Sequence, residues 1–133
     1  MLERLLILLA AALVVALGVL VVRALVVGRT RARLGRTLPE GLRLDRPGVP
    51  TVLYFYGPAC AACAQQRRAL AGLPPERLNV VAVDAARRPE LAAWAGVLTV
   101  PSTAIVDPQR RLHAVNHGFR SAADLATQLA AIA

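Results

Sequence analysis

Hydrophobic residues are distributed very unevenly along the chain. Residues 5–22 are 18 consecutive apolar positions without a charge, a polar side chain or a proline. At 1.5 Å rise per residue, a helix of that length spans about 27 Å, close to the roughly 30 Å hydrocarbon core of a bilayer. Arg23 interrupts the pattern, but residues 24–28 are apolar again, and an arginine near a helix end can extend its guanidinium to the interface. The pattern predicts a transmembrane anchor over residues 1–28, in contact with the lipid bilayer through residues 5–28.

A cleaved signal peptide is the alternative for this segment. Signal peptides have an apolar region of about 7–15 residues followed by a small-residue cleavage site. The apolar run is longer than that, and residues 22–27 (Val-Arg-Ala-Leu-Val-Val) contain no such site. A retained, single-pass anchor is the favoured interpretation.

After the anchor, residues 29–49 are rich in arginine, glycine and proline and predict a basic juxtamembrane linker. Within it, Leu42 and Leu44 alternate with charged residues, as in a short edge strand. Residues 50–133 then show β-branched and aromatic runs at 51–56, 78–83, 103–106 and 111–116, separated by helical patterns. The predicted helices cover residues 60–71 and 89–95 and a segment that begins at Ser121 with a capping box to Asp124. The order β-α-β-α-β-β-α predicts an α/β domain, a mixed sheet flanked by helices on both faces.

Arginine is concentrated beside the anchor. Residues 1–36 hold six arginines and one glutamate, whereas residues 37–133 hold ten arginines and seven acids. A domain charge of only +3, with 4% aromatic residues in the chain, disfavours nucleic-acid binding. Before the apolar run stands one arginine, offset by Glu3, and five follow within about 15 residues. The positive-inside rule therefore places the domain on the cytoplasmic face. The alternatives are that these arginines only form a solvated linker, or that they contact anionic lipid headgroups while the topology is set otherwise, which leaves an extracytoplasmic domain open.

The candidate chemistry lies in the sequence Cys60-Ala61-Ala62-Cys63, which contains the only two cysteines of the chain. These cysteines follow a buried strand and open a helix. Cysteines three residues apart on a helical turn lie about 5–6 Å apart, within the range that a disulfide needs. The unpaired N–H groups at a helix N-terminus favour the thiolate, the attacking species in disulfide exchange. Cys60 is therefore the expected catalytic nucleophile and Cys63 the resolving thiol.

With this dithiol between a strand and a helix, the sequence resembles the thioredoxin superfamily over about residues 50–132. The resemblance also rests on Val100-Pro101-Ser102-Thr103, just before a strand, where that family carries a cis-proline facing its active site. It implies that Pro101 is cis, that the backbone of Val100 pairs with a substrate strand, and that Gly118 occupies the place of a family glycine near the site. It further implies a thiol–disulfide oxidoreductase that acts on protein thiols and disulfides with no cofactor beyond the dithiol.

The chain departs from the family pattern at several positions. Ala59 stands where the family has a tryptophan, and Ala61-Ala62 replaces Gly-Pro between the cysteines. Tyr54 replaces a buried aspartate; Val80 and Arg68 replace a lysine and a proline. These departures leave the direction of electron transfer open. They also keep a second hypothesis, a non-enzymatic binding module with a degenerate dithiol that recruits a partner or a metal.

The remaining candidates are weaker. Cys60, Cys63, His113 and His117 have the order of zinc ligands, but 49 residues separate the two pairs where a zinc finger has about a dozen. We therefore predict no metal site and solvated histidines. Trp94 is expected in the core and Arg67-Arg68 on a solvated helix face. The sequence thus predicts a membrane-tethered thiol–disulfide oxidoreductase whose protein partners are membrane-associated.

Overall fold

The computed structural model describes residues 1–132, and Ala133, the last residue of the predicted domain, lies outside that range. The described chain divides into two compact units, with the boundary after Ala32. The first unit is one helix, α1 (Leu2–Arg31), with no buried residue. At 30 residues it is about 45 Å long, and its most apolar 18-residue window has a mean hydropathy of 3.3. By length and composition, α1 is a candidate membrane span.

The second unit has the predicted order of strands and helices. Its elements are β1 (Thr51–Tyr56), α2 (Ala61–Ala71), β2 (Asn79–Asp84), α3 (Pro89–Ala95), β3 (Ser102–Val106), β4 (Leu112–His117) and α4 (Ala122–Ala130). The strands form one sheet in the order β2-β1-β3-β4. β1 is parallel to β2 and antiparallel to β3, and β3 is antiparallel to β4. The predicted mixed sheet is confirmed, with shifts of one residue at several element ends.

Alternate residues of β1 point to opposite faces of the sheet, as the two-residue period of a strand requires. Leu53 and Phe55 are fully buried in a cluster with Leu91 of α3. Val52 and Tyr54 are buried on the other face, in a cluster that includes Cys63 and Leu70 of α2 and residues of α4. The sheet therefore has helices on both faces, and the dithiol belongs to the face covered by α2 and α4.

The segment between the helix and β1 packs into the second unit, although the sequence suggested a linker as far as residue 49. Leu38 is 1% exposed in the cluster beneath α3, and the Nε1–H of Trp94 donates to the carbonyl of Thr37 at 3.0 Å. The edge strand expected at Leu42 and Leu44 is not formed. Instead, Thr37 forms an isolated bridge with Arg111, the residue before β4, and the two leucines pack partly buried against the same cluster.

The predicted helix boundaries at α3 and α4 are confirmed by their caps. Pro89 occupies the first turn of α3, and Gly96 ends the helix with φ +76°, a left-handed conformation that glycine adopts without steric cost. Ser121 caps α4, and its Oγ accepts the N–H of Asp124 at 3.2 Å. These local signals are short-range, which is why the sequence alone located them.

Candidate functional site

The two cysteines are joined by a disulfide at the N-terminus of α2, with their Cα atoms 5.3 Å apart. Cys60 is the N-cap residue in an extended conformation, and Cys63 lies in the first turn. Cys63 is only 7% exposed, whereas Cys60 is half-buried. Ala59, just before them, has φ +52°, an unusual left-handed conformation for a residue with a side chain. The chain turns sharply at Ala59, which leaves Cys60 as the outer cysteine of the pair.

Tyr54 supports the inner cysteine from below. Its hydroxyl donates to the backbone carbonyl of Cys63 at 2.7 Å, and its side chain is 5% exposed. Burial raises the pKa of Tyr54, and the positive charge of Arg67 opposes this shift. The phenol is therefore neutral at neutral pH. Where the thioredoxin superfamily often has a buried aspartate, this chain thus has a neutral hydrogen-bond donor, the Tyr54 hydroxyl. That donor binds the helix backbone.

The segment around Pro101 lies beside the dithiol. The Val100–Pro101 peptide bond is cis, as predicted. Val100 packs against the cluster that holds Cys63 and is so close to Gly57 that a Cβ there would lie 3.3 Å from a Val100 methyl. The carbonyl of Pro101 accepts the N–H of Gly118 at 2.9 Å. The structure therefore brings Val100, Pro101 and Gly118 together near the dithiol, while their roles in substrate binding stay predictions.

Gln66 is a residue of this region that the sequence analysis did not identify. It is fully buried, and its side-chain amide makes two hydrogen bonds to the backbone of Arg120. Its Nε2 donates to the Arg120 carbonyl at 3.0 Å, and its Oε1 accepts the Arg120 N–H at 2.8 Å. Gln66 therefore fastens α2 to the segment that follows Gly118. The available signal was its position three residues after Cys63 and four before Leu70, on the buried stripe of α2.

An open cavity of about 520 Å³ reaches both cysteines. Its other lining residues include Tyr54, Arg67 and Ala82. Arg67 and Arg68 are both exposed, as predicted, but only Arg67 lines this cavity. No carboxylate lies within 4.0 Å of the Arg67 guanidinium among residues 1–132. The approach to the dithiol from this side is therefore mostly apolar, with one cation that has no ion-pair partner in the described chain.

The remaining candidate residues lie elsewhere. Asp84 caps the turn after β2, because its carboxylate accepts the backbone N–H groups of Ala86 and Arg87. The prediction of solvated histidines is wrong for His117, because both of its ring nitrogens are buried without a hydrogen-bond partner in the described range, and burial lowers its pKa. His113 is exposed. Within residues 1–132 no three His, Cys, Asp or Glu side chains come together as metal ligands. Trp94 packs against the core, as expected.

Comparison with known proteins shows a likeness in structure. No family model and no curated protein matches the chain. Thioredoxin-2, a component of malaria parasite protein secretion machinery, matches with a TM-score of 0.60 and 23% identity over 74% of this chain and 95% of its own. MTB dsbF matches with a TM-score of 0.54 and 20% identity, covering 65% and 83%. Mitochondrial thioredoxin 3 from Saccharomyces cerevisiae matches at 0.57 and 18%, covering 65% and 81%.

At these identities the likeness defines the fold. In this chain the fold is a four-stranded mixed sheet with helices on both faces, and the Cys60–Cys63 disulfide lies at the start of α2. The chain carries the fold of the thioredoxin superfamily, which the dithiol and the Val100-Pro101-Ser102-Thr103 segment predicted.

Proposed function

We propose that this protein is a membrane-tethered thiol–disulfide oxidoreductase that exchanges disulfides with protein substrates through Cys60 and Cys63. One observation carries the proposal. The two sulfurs are bonded to each other at a helix N-terminus, and the outer residue, Cys60, is accessible while Cys63 is almost completely buried. A reversible dithiol needs this asymmetry, because one sulfur must meet the substrate and the other must then release it.

In the reducing direction, the Cys60 thiolate attacks one sulfur of a substrate disulfide. The substrate S–S bond breaks, its second sulfur leaves as a thiolate, and a mixed disulfide joins Cys60 to the substrate. The Cys63 thiolate then attacks the Cys60 sulfur, which releases the second substrate thiol and leaves the Cys60–Cys63 disulfide. Two electrons pass from the protein to the substrate, and a partner dithiol restores the reduced state. In the oxidising direction the same steps run in reverse.

The substrate chain has a place to bind beside the dithiol. Neither the N–H nor the carbonyl of Val100 has a hydrogen-bond partner among the residues that the structure describes. The carbonyl of Pro101 is occupied by Gly118, which fixes the backbone next to Val100. These observations support the proposal that Val100 pairs with an extended substrate segment while Pro101 and Gly118 hold the segment's path.

The helix α1 supports a tether, because it is long and apolar enough to cross a bilayer. The five arginines that follow the apolar run favour a cytoplasmic domain. A membrane-impermeant maleimide applied to intact cells tests this side. A membrane-permeant reductant is present throughout, so that both cysteines are free thiols. We expect them to be labelled only after the membrane is opened. Labelling in intact cells would place the domain outside, in an oxidising compartment.

Mixed-disulfide trapping tests the redox function. In the full chain, Cys63→Ser removes the resolving thiol, so Cys60 should accumulate substrate as a mixed disulfide that a reductant releases. Cys60→Ser is the matched control and should trap nothing, because the remaining sulfur is buried. If neither variant traps substrate, and the wild-type protein shows no reversible dithiol–disulfide couple in redox buffers, the enzymatic function is wrong. The chain would then be a non-enzymatic binding module with a thioredoxin-like fold.

A further inference from the structure

One edge of the sheet is open. Among residues 1–132, β2 is an outer strand that pairs only with β1. Its sequence, Asn-Val-Val-Ala-Val-Asp, contains no proline and no charge before the final aspartate. Outer strands usually carry such residues because unpaired backbone groups attract other extended chains. Val80, the second residue of β2, is 46% exposed. β2 therefore lacks the usual protection of an edge strand.

The register shows which backbone groups are unpaired. Asn79 donates its N–H to Pro50, and Ala85 donates to Tyr56, across the parallel β1–β2 pair. In a parallel strand, alternate residues direct both backbone groups to the same neighbour. Asn79, Val81 and Val83 therefore pair with β1, and Val80 and Ala82 direct their N–H and carbonyl groups outward. Neither residue has another backbone partner within residues 1–132.

A continuous groove leads from this edge to the dithiol. The cavity at the cysteines also touches Ala82 of β2, and a second cavity of about 330 Å³ extends along the same face to Val80. Tyr54, Arg67 and Ala82 line both cavities, so the two share a boundary. The second cavity is otherwise apolar, with leucines of α2 and the segment after it in its wall.

We propose that the free edge of β2 is a docking strand for the redox partner, which rests on the oxidoreductase function given above. An extended segment of the partner pairs with the outward backbone groups of Val80 and Ala82. It places an acidic side chain against Arg67, whose guanidinium has no carboxylate partner in the described chain, and it continues along the groove toward Cys60. Added strands of this kind gain affinity from main-chain hydrogen bonds and specificity from side-chain pockets.

Two peptide disulfides and one backbone variant test the docking strand. The first probe is a synthetic peptide of about ten residues, with alternating valine and threonine, one aspartate and one cysteine, linked through that cysteine as a disulfide dimer. The second probe is the same dimer, N-methylated at alternate residues. N-methylation keeps the side chains and removes the donors that pair with a strand. Ala82→Pro removes the outward N–H of β2 but no hydrogen bond to β1, a position where an edge strand tolerates proline. Ala82→Ser is its matched control.

We expect the reduced full chain, in detergent, to reduce the unmethylated dimer about fivefold or more faster than the methylated one, the effect of a single hydrogen bond or more. Ala82→Pro should bring that ratio close to one, and Ala82→Ser should keep it. Arg67→Gln should slow reduction of the aspartate peptide but not of its asparagine version, whereas Arg68→Gln should change neither. Equal rates for both dimers with wild-type protein, or a ratio that Ala82→Pro leaves unchanged, would overturn the proposal; the second result would place all strand pairing at Val100.

Failure of the redox function is distinguishable from failure of docking. If the wild-type protein exchanges disulfides with neither peptide nor with bis(2-hydroxyethyl) disulfide, the proposed function fails. Docking is then decided by fluorescence anisotropy with the cysteine-to-serine peptide and the oxidised protein. Binding that Ala82→Pro abolishes supports the docking strand, and no binding to wild-type protein overturns it. A dimer in analytical ultracentrifugation that Ala82→Pro converts to a monomer would assign the edge to a second copy and also overturn the proposal.

Discussion

Replacing Gln66 with leucine should weaken the fold where α2 meets the segment after β4. The change removes both hydrogen bonds between the side chain and Arg120. Each bond contributes about 1 kcal/mol net, and each backbone group left without a partner costs a further 1–3 kcal/mol or so where water reaches it poorly. Arg120 is exposed, which lets water replace part of the loss, and the leucine restores some apolar contact. We expect the free energy of unfolding to fall by about 2–3 kcal/mol.

Urea unfolding of the oxidised full chain in detergent measures this change. Trp94, the only tryptophan, reports the second unit by fluorescence, since it packs against the core there. Gln65→Leu is the matched control because Gln65 is an exposed neighbour on the same helix, and it should change stability by less than about 0.5 kcal/mol. Equal stabilities for the two variants would show that the Gln66 amide does not fasten α2, and our explanation of its burial would be wrong.

Three further predictions use the same unfolding assay. Leu38→Ala should cost about 2–4 kcal/mol because Leu38 is fully buried, against less than about 1 kcal/mol for the exposed Leu34→Ala; equal costs would return this segment to a linker. Tyr54→Phe should cost about 1 kcal/mol, the net value of its hydrogen bond to the helix carbonyl, and an unchanged midpoint would contradict that contact. Burial lowers the pKa of His117, so the unfolded chain binds a proton at higher pH than the folded one. Stability should therefore fall as pH decreases through about 6.5 and level off below the folded-state pKa, and His117→Leu should reduce this dependence.

The sequence predicted the features that depend on neighbouring residues. The strand–dithiol–helix order follows from the β-branched run before Cys60 and the helix-forming residues after Cys63, and both elements are present. The cap at Ser121 is likewise a contact between residues three apart. For the cis bond at Pro101, the general frequency of cis proline gave no support, and only the resemblance to a family predicted it.

Features that depend on distant contacts were missed or displaced. Gln66 binds a backbone 54 residues away, and nothing in its local sequence marks that partner. Leu38 stands among arginines, glycines and prolines, yet it fills a gap beneath α3 that exists only once the sheet has formed. Similarly, alternation at Leu42 and Leu44 suggested a strand, whereas Thr37 forms the bridge instead, with Arg111 just before β4. In each case the position of the partner strand or helix decided the outcome.

The proposed redox function depends on Cys60 being the reactive sulfur, and alkylation of the reduced full chain tests this most directly. The protein is reduced, exposed briefly to iodoacetamide between about pH 6 and 8, and the modified cysteine is identified by peptide mass spectrometry. The helix N-terminus favours the thiolate at Cys60, and Cys63 is shielded beneath it. We predict modification of Cys60 well before Cys63 throughout that range. Equal labelling of the two cysteines, or earlier labelling of Cys63, would contradict the account.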